Sequence, residues 1–117
     1  MRNRGILSLY DNETLAANAS RTYWFGPAKG TYWLVQSVHG SNDTRPIEVK
    51  AYKRMVGGVN TISWNGVKVC SQDVMRAEVV FLEPLLISYG EEIGVRMRGG
   101  ITGDAIAGQI RGVEVYQ

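Results

Sequence analysis

The chain has little of what most enzymes and metal proteins are built from. It carries one histidine, His39, and one cysteine, Cys70, in 117 residues. A single cysteine allows no intrachain disulfide, so the fold rests on its core and suits a reducing compartment. Zinc needs several clustered His or Cys ligands, and the two residues here stand far apart in sequence. Asn42-Asp43 and Asp104 offer loop oxygens without the dense acidic spacing of a calcium loop. The sequence therefore predicts no metal and no cofactor. No apolar run approaches the roughly 18 residues of a spanning helix, and Met1–Tyr10 lacks the apolar stretch of a signal peptide. No membrane segment and no export leader are expected. Asn12, Asn18 and Asn42 open Asn-X-Ser/Thr triplets, which without a leader read as coincidences in polar loops. Charge is also sparse: 13 basic residues against 11 acidic ones leave a net +2. Apart from Arg2 and Arg4 the basic residues are scattered. A specific nucleic-acid partner usually shows as a clustered stripe, so none is predicted.

Catalytic groupings are equally thin. His39, Ser41 and Asp43 fall within five residues of one polar stretch, too close for three groups that must converge from different directions. Glu91 and Glu92 are adjacent, and neighbours on a strand point to opposite faces. Sugar hydrolysis needs two carboxyl groups facing one another across a substrate, so the pair reads as a solvated turn. Gly99–Gly108 lacks the Gly-Lys-Ser/Thr ending of a phosphate loop and has no helix after it; it reads as a flexible glycine-rich loop. No catalytic residue is predicted. An enzyme would require His39 or Cys70 to lie in a concave pocket with a displaced pKa.

What the chain does have is a strand rhythm cut by glycine turns. Ile6–Tyr10 reads as a strand, and Leu15–Ser20 is ambiguous. Arg21–Phe25 and Thr31–Val38 flank the turn Gly26-Pro27-Ala28-Lys29-Gly30. His39–Arg45 reads as a polar loop. After Pro46, Ile47, Val49 and Ala51 alternate with Glu48 and Lys50. Gly57-Gly58 suits a tight hairpin onto Val59–Trp64. Asn65-Gly66 suits a second hairpin returning along Val67–Cys70, because both residues tolerate positive φ. Met75, Ala77, Val79 and Phe81 form an inward set; Pro84 interrupts, and Leu85–Tyr89 follows. Ile93, Val95 and Met97 alternate with outward Arg96 and Arg98. In Ile110–Tyr116, Ile110 is out of step with Val113 and Val115, which predicts a bulge at Gly112. The sum is a single all-β domain over residues 1–117. We expect an antiparallel two-sheet sandwich, jelly-roll-like, of about eight to ten short strands.

Tyr23-Trp24-Phe25 and Tyr32-Trp33 place neighbouring rings on opposite faces, and Trp64 precedes a turn, so some rings face outward. The final third holds Leu82-Glu83-Pro84-Leu85-Leu86-Ile87-Ser88-Tyr89-Gly90-Glu91-Glu92-Ile93-Gly94-Val95-Arg96-Met97-Arg98. A loop follows, then Ile110-Arg111-Gly112-Val113-Glu114-Val115-Tyr116. This cadence resembles the closing strands of the small jelly-roll decoration or cement proteins of tailed-phage capsids. That resemblance implies a non-enzymatic virion protein, located in the particle, that clamps capsid subunits. Its partner would be the major capsid protein or another virion protein. A sandwich also exposes edge strands that tend to pair, so a homodimer or homotrimer, or addition to another protein's sheet edge, is expected. The partner-binding candidates are Arg2, Arg4, Trp24, Trp33, Trp64, Asn65, Arg96 and Arg98. The alternative is a carbohydrate-binding β-sandwich module stacking sugars on Trp24, Trp33 or Trp64.

Overall fold

A computed structural model describes residues 4–17, 19–45, 47–65, 67–68 and 76–117, with side chains at all of these except 4, 19, 60, 61, 63–65, 67 and 68. The described residues form nine strands: β1 Arg4–Thr14, β2 Ala19–Phe25, β3 Thr31–Asn42, β4 Glu48–Met55, β5 Asn60–Asn65, β6 Val67–Lys68, β7 Arg76–Ile87, β8 Glu91–Gly100 and β9 Ala105–Tyr116. Inward apolar residues at every second position drive them, as in β4, where Val49 and Ala51 are buried behind buried Ile47. The strands make two antiparallel sheets, ordered β1-β9-β3-β7-β6 and β2-β8-β4-β5. Without the two-residue β6, two four-stranded sheets remain whose consecutive strands mostly alternate between layers. This is the double Greek key of a jelly roll.

The core lies between the sheets. Val35, Val38, Ile87, Ile93, Val95 and Ile110 are completely buried there, each worth about 1.5–3 kcal/mol of transfer free energy. Polar links gather at the end of the sandwich. Asp104 accepts hydrogen bonds from Asn42 Nδ2 at 2.9 Å, from Arg45 Nε and Nη2 at 2.7 and 3.0 Å, and from the Ile101 N–H at 3.0 Å. Arg45 holds the Asp104 carboxyl well below the usual carboxylate range, with Asn42 next in effect. On the neighbouring flank, Glu13 of β1 receives Arg21 and the Tyr23 hydroxyl of β2, which ties one sheet to the other.

Several expectations need correction. The strands are not all short: β1, β3, β7 and β9 reach 11 or 12 residues. His39–Asn42 is not loop but the end of β3, its backbone paired with β7 and β9. Gly99-Gly100 ends β8 and Ala105–Gly108 begins β9, which leaves only residues 101–104 as the connection. Glu91 and Glu92 open β8 and are ion-paired to Lys53 and Arg54. The Gly57-Gly58 hairpin does join β4 to β5, with Gly57 at φ +72°. Among the described residues β5 and β6 do not pair as the expected second hairpin: β6 pairs with β7 in the other sheet, Val67 opposite Glu78. The chain changes sheets there, so β5 keeps β4 as its partner. Gly66, Pro46, Met75 and Cys70 lie outside the described residues.

The bulge lies across from its expected place. The pairing of β1 with β9 is continuous through Gly112. The register shifts instead in β3, between Val35 and Ser37, so that Gln36 is extra against Gly112 and Arg111. On its other side the same site faces a longer break in β7, where Val35 pairs with Leu85 but Ser37 pairs with Val80. Pro84 falls in that break, where no ladder N–H is needed. The bulged β3 backbone presses on Gly112: a Cβ there would overlap the Leu34 carbonyl oxygen.

Candidate functional site

The outer face of the four-stranded sheet holds three of the predicted contact residues. Trp24 pairs across Gly94, where a Cβ would come within 2.6 Å of the indole. Only glycine leaves room for the ring to lie across the sheet. Arg54 stacks on it with Cζ 3.5 Å from the ring centroid, and Tyr52 tilts against it at 6.4 Å. Arg54 is held in turn by Glu92 at 2.7 Å. The Trp24 ring is thus partly covered by a cation and does not stand free for stacking. Arg96 donates to the Tyr52 hydroxyl at 3.1 Å. Exposed Arg98 lies 3.8 Å from Glu48. Most cations of this sheet therefore sit beside carboxylates, the arrangement of a mixed surface and not of a basic stripe.

Trp33 is only 3% exposed. It belongs to the core, and its indole N–H donates to Glu114 Oε2 at 2.8 Å. It presents no surface to a partner. Backbones of Arg4, Trp64 and Asn65 lie in β1 and β5, opposite Val115, Ala51 and Lys50. Their side chains, and all of Arg2, lie outside the described residues.

The outer face of the five-stranded sheet carries two features that sequence reasoning missed. At one end is an apolar row. Ile6 pairs with Val113, Val113 with Leu34, and Leu34 with Leu86, so four apolar side chains from β1, β9, β3 and β7 line up across the sheet. Ile6 is 94% exposed and Leu86 46%. Exposed Val80 and fully exposed Leu82 extend the row along β7. Antiparallel sheets with one solvated face normally carry polar residues there. The signal was present as apolar doublets, Ile6-Leu7, Leu34-Val35 and Leu86-Ile87: strand geometry sends one member of each doublet inward and the other outward.

Nearer the other end, His39 meets groups from the neighbouring strand. Its Nδ1 lies 2.9 Å from Arg76 Nη2 and 3.1 Å from Glu78 Oε2, and its Nε2 lies 3.1 Å from Ser37 Oγ. Arginine only donates and a carboxylate only accepts, so Nδ1 is an acceptor from Arg76 in one tautomer and a donor to Glu78 in the other. In the first, Nε2–H donates to the Ser37 hydroxyl; in the second, Nε2 accepts from it. Burial pushes the His39 pKa down, and the nearby Arg76 charge adds to it, against the opposing pull of Glu78. The order hydroxyl, imidazole, carboxylate is present in this cluster, and burial favours the neutral ring. Spacing along the chain does not reveal this cluster, because Arg76 and Glu78 arrive from a strand 37 and 39 positions away. Among the described residues no group of three His, Cys, Asp or Glu side chains gathers as a metal site. Nor is any helix among them long and apolar enough to cross a membrane.

No protein-family model and no curated protein matches the sequence. Among solved structures, a chain from the structure of infectious bursal disease virus, Gx strain, superposes on 98% of this chain at a TM-score of 0.36 and 11% identity. The present chain spans 31% of that chain's length. A superposition this loose carries no functional argument, and the surface itself has to supply one.

Proposed function

We propose that this jelly roll is a non-enzymatic structural protein that decorates or cements a virus capsid by binding its shell subunits, itself as a dimer or trimer. The observation that carries the reading is the apolar row Ile6, Val113, Leu34 and Leu86 on a sheet face that would otherwise meet water. Exposed apolar patches of this kind mark protein contact sites. Apolar burial against a shell stabilises the assembled state by mass action. The fold alone does not choose, since jelly rolls serve both capsids and lectins. The tryptophan version of the lectin reading loses support at two of its three rings, because Trp33 is internal and Trp24 is capped by Arg54; the Trp64 side chain lies outside the described residues.

The test is quantitative mass spectrometry of gradient-purified particles from the source. Hundreds of copies per particle support the proposal, and absence overturns it. Ile6→Asp then identifies the surface. Being on an exposed edge position, it should change folding stability by no more than about 0.5 kcal/mol, yet strip the protein from the particles. Retention at full copy number would overturn the assignment to this row.

A further inference from the structure

A trough runs along β9 on the outer face of the five-stranded sheet, beyond His39 and away from the apolar row. Its floor is Ala105 and Ala107, two positions apart on one strand and therefore on one face. Longer side chains rise on both sides. Asn12 of β1 and Ser41 of β3 pair with Ala107, and Arg76 of β7 stands next to Ser41. Thr14 pairs with Ala105 on the β1 side, and Asp43 bonds the Ala105 backbone on the β3 side. A methyl floor between taller walls leaves a volume of about 550 Å³, within the size range of small-ligand sites. A second hollow of about 160 Å³ shares Tyr10, Ser41, Arg76 and Ala107 with the first and carries it towards Gln109 and His39.

The lining has a particular chemistry. Tyr10, 60% exposed, sets an aromatic ring on one wall. Amide, hydroxyl, guanidinium and carboxylate groups from Asn12, Ser41, Arg76 and Asp43 face the same space. Two of these are already fixed. Asp43 Oδ1 accepts the Ala105 N–H and the Thr44 hydroxyl, at 3.0 and 2.9 Å, and Arg76 is held at His39 Nδ1. Fixed polar groups lose little freedom on binding. A ring that can stack on an apolar face, opposite planar polar groups that exchange hydrogen bonds with hydroxyls, suits a sugar ring. A polyphosphate backbone is disfavoured by the Asp43 carboxylate at the rim.

We propose that this trough binds a short neutral saccharide, with Tyr10 as the stacking ring and Asn12, Ser41 and Arg76 as hydroxyl partners. The site is separate from the apolar row, so the proposal stands or falls independently of a role on a capsid.

The experiment is amide NMR of the intact chain with maltotriose, cellotriose, mannotriose and chitotriose, each at about 10 mM, a concentration that detects millimolar affinity. Trialanine is the peptide control. At least one trisaccharide should saturably shift the amides of Tyr10, Ser41, Ala105 and Ala107. Tyr10→Ala should weaken that binding about tenfold, the worth of one aromatic stack. Ala107→Leu fills the floor while leaving every polar group in place, and should abolish the response in a protein whose spectrum stays dispersed. The proposal is overturned if no trisaccharide shifts the trough amides, if the shifts centre elsewhere, if only trialanine produces them, or if Ala107→Leu leaves them unchanged.

Discussion

Replacing Gly112 by alanine tests the bulge at the centre of the five-stranded sheet. The added Cβ would overlap the Leu34 carbonyl oxygen and sit 2.9 Å from the Val35 Cα. Both contacts are backbone, so no rotamer change relieves them. Either the extra residue at Gln36 shifts or β9 moves away from β3. Overpacking in a fitted interior costs about 1–3 kcal/mol, and contacts this short to backbone place the cost near the top of that range. Gly5→Ala is the matched control. It lies on β1, opposite Glu114, and its new Cβ would meet nothing closer than 3.8 Å. Removing glycine from such a position stabilises by about 0.4–1 kcal/mol through the unfolded chain. The two alanine variants should therefore differ by about 3 kcal/mol. With a urea slope of about 1.5–2 kcal/mol per molar, Gly112→Ala should unfold about 1.5 M earlier than Gly5→Ala. Equal midpoints would refute the register shift at Gln36, because without it nothing presses on Gly112.

Two further predictions concern pH. The Asp104 carboxyl is depressed by Arg45 and then Asn42, so the folded state binds its proton less readily than the unfolded chain does. Its contribution is complete above the unfolded value near 4 and is lost as pH falls further, towards the folded value. Urea midpoints between about pH 2 and pH 7 should thus fall less steeply in Asp104→Asn, which should also be weaker at neutral pH; parallel curves would refute this. His39 is depressed chiefly by burial and secondarily by Arg76. Its contribution is present above about pH 6.5 and is lost as pH drops through the folded value. The single imidazole signal should titrate below 6.5 and move upward in Arg76→Ala, and a wild-type midpoint above 6.5 would overturn the arrangement.

The all-β character and the inward sets were legible because they depend on near neighbours. Val49 and Ala51, or Ile93, Val95 and Met97, announce a buried face through alternation alone. Three kinds of feature were not legible. The pairing of β1 with β9 joins residues a hundred positions apart, and no local pattern specifies it. The polar run at His39–Asn42 reads as loop by composition, yet Gly40 faces inward, where a Cβ would lie 2.6 Å from Val49 Cγ2. His39 finds partners on the outer face that belong to β7, and Ser41 stands opposite Arg76 and Ala107 of other strands. The trough was hidden for the same reason: Ala105 and Ala107 sit in a glycine-rich run that looks unstructured, and their smallness matters only because taller residues from β1 and β3 stand beside them. Trp33 misled in the other direction. An aromatic next to another aromatic has to face one way, and only the Glu114 carboxylate on β9 shows that its way is inward.

The strand order also dictates a sequence of events in time. β9 is the last of the nine strands to be made, yet it lies between β1 and β3 in the sheet. Until it emerges from the ribosome, β1 has no partner at all and β3 has only β7. The growing chain therefore carries two open edges and half an uncovered core through most of its synthesis. Long-range closure of this kind is slow, and the waiting state is exposed to aggregation. Arrival of β9 closes both edges at once, like the final stave driven into a cask. A ribosomal stall within its twelve residues would leave β3, β7 and β6 paired but β1 cut off from the sheet.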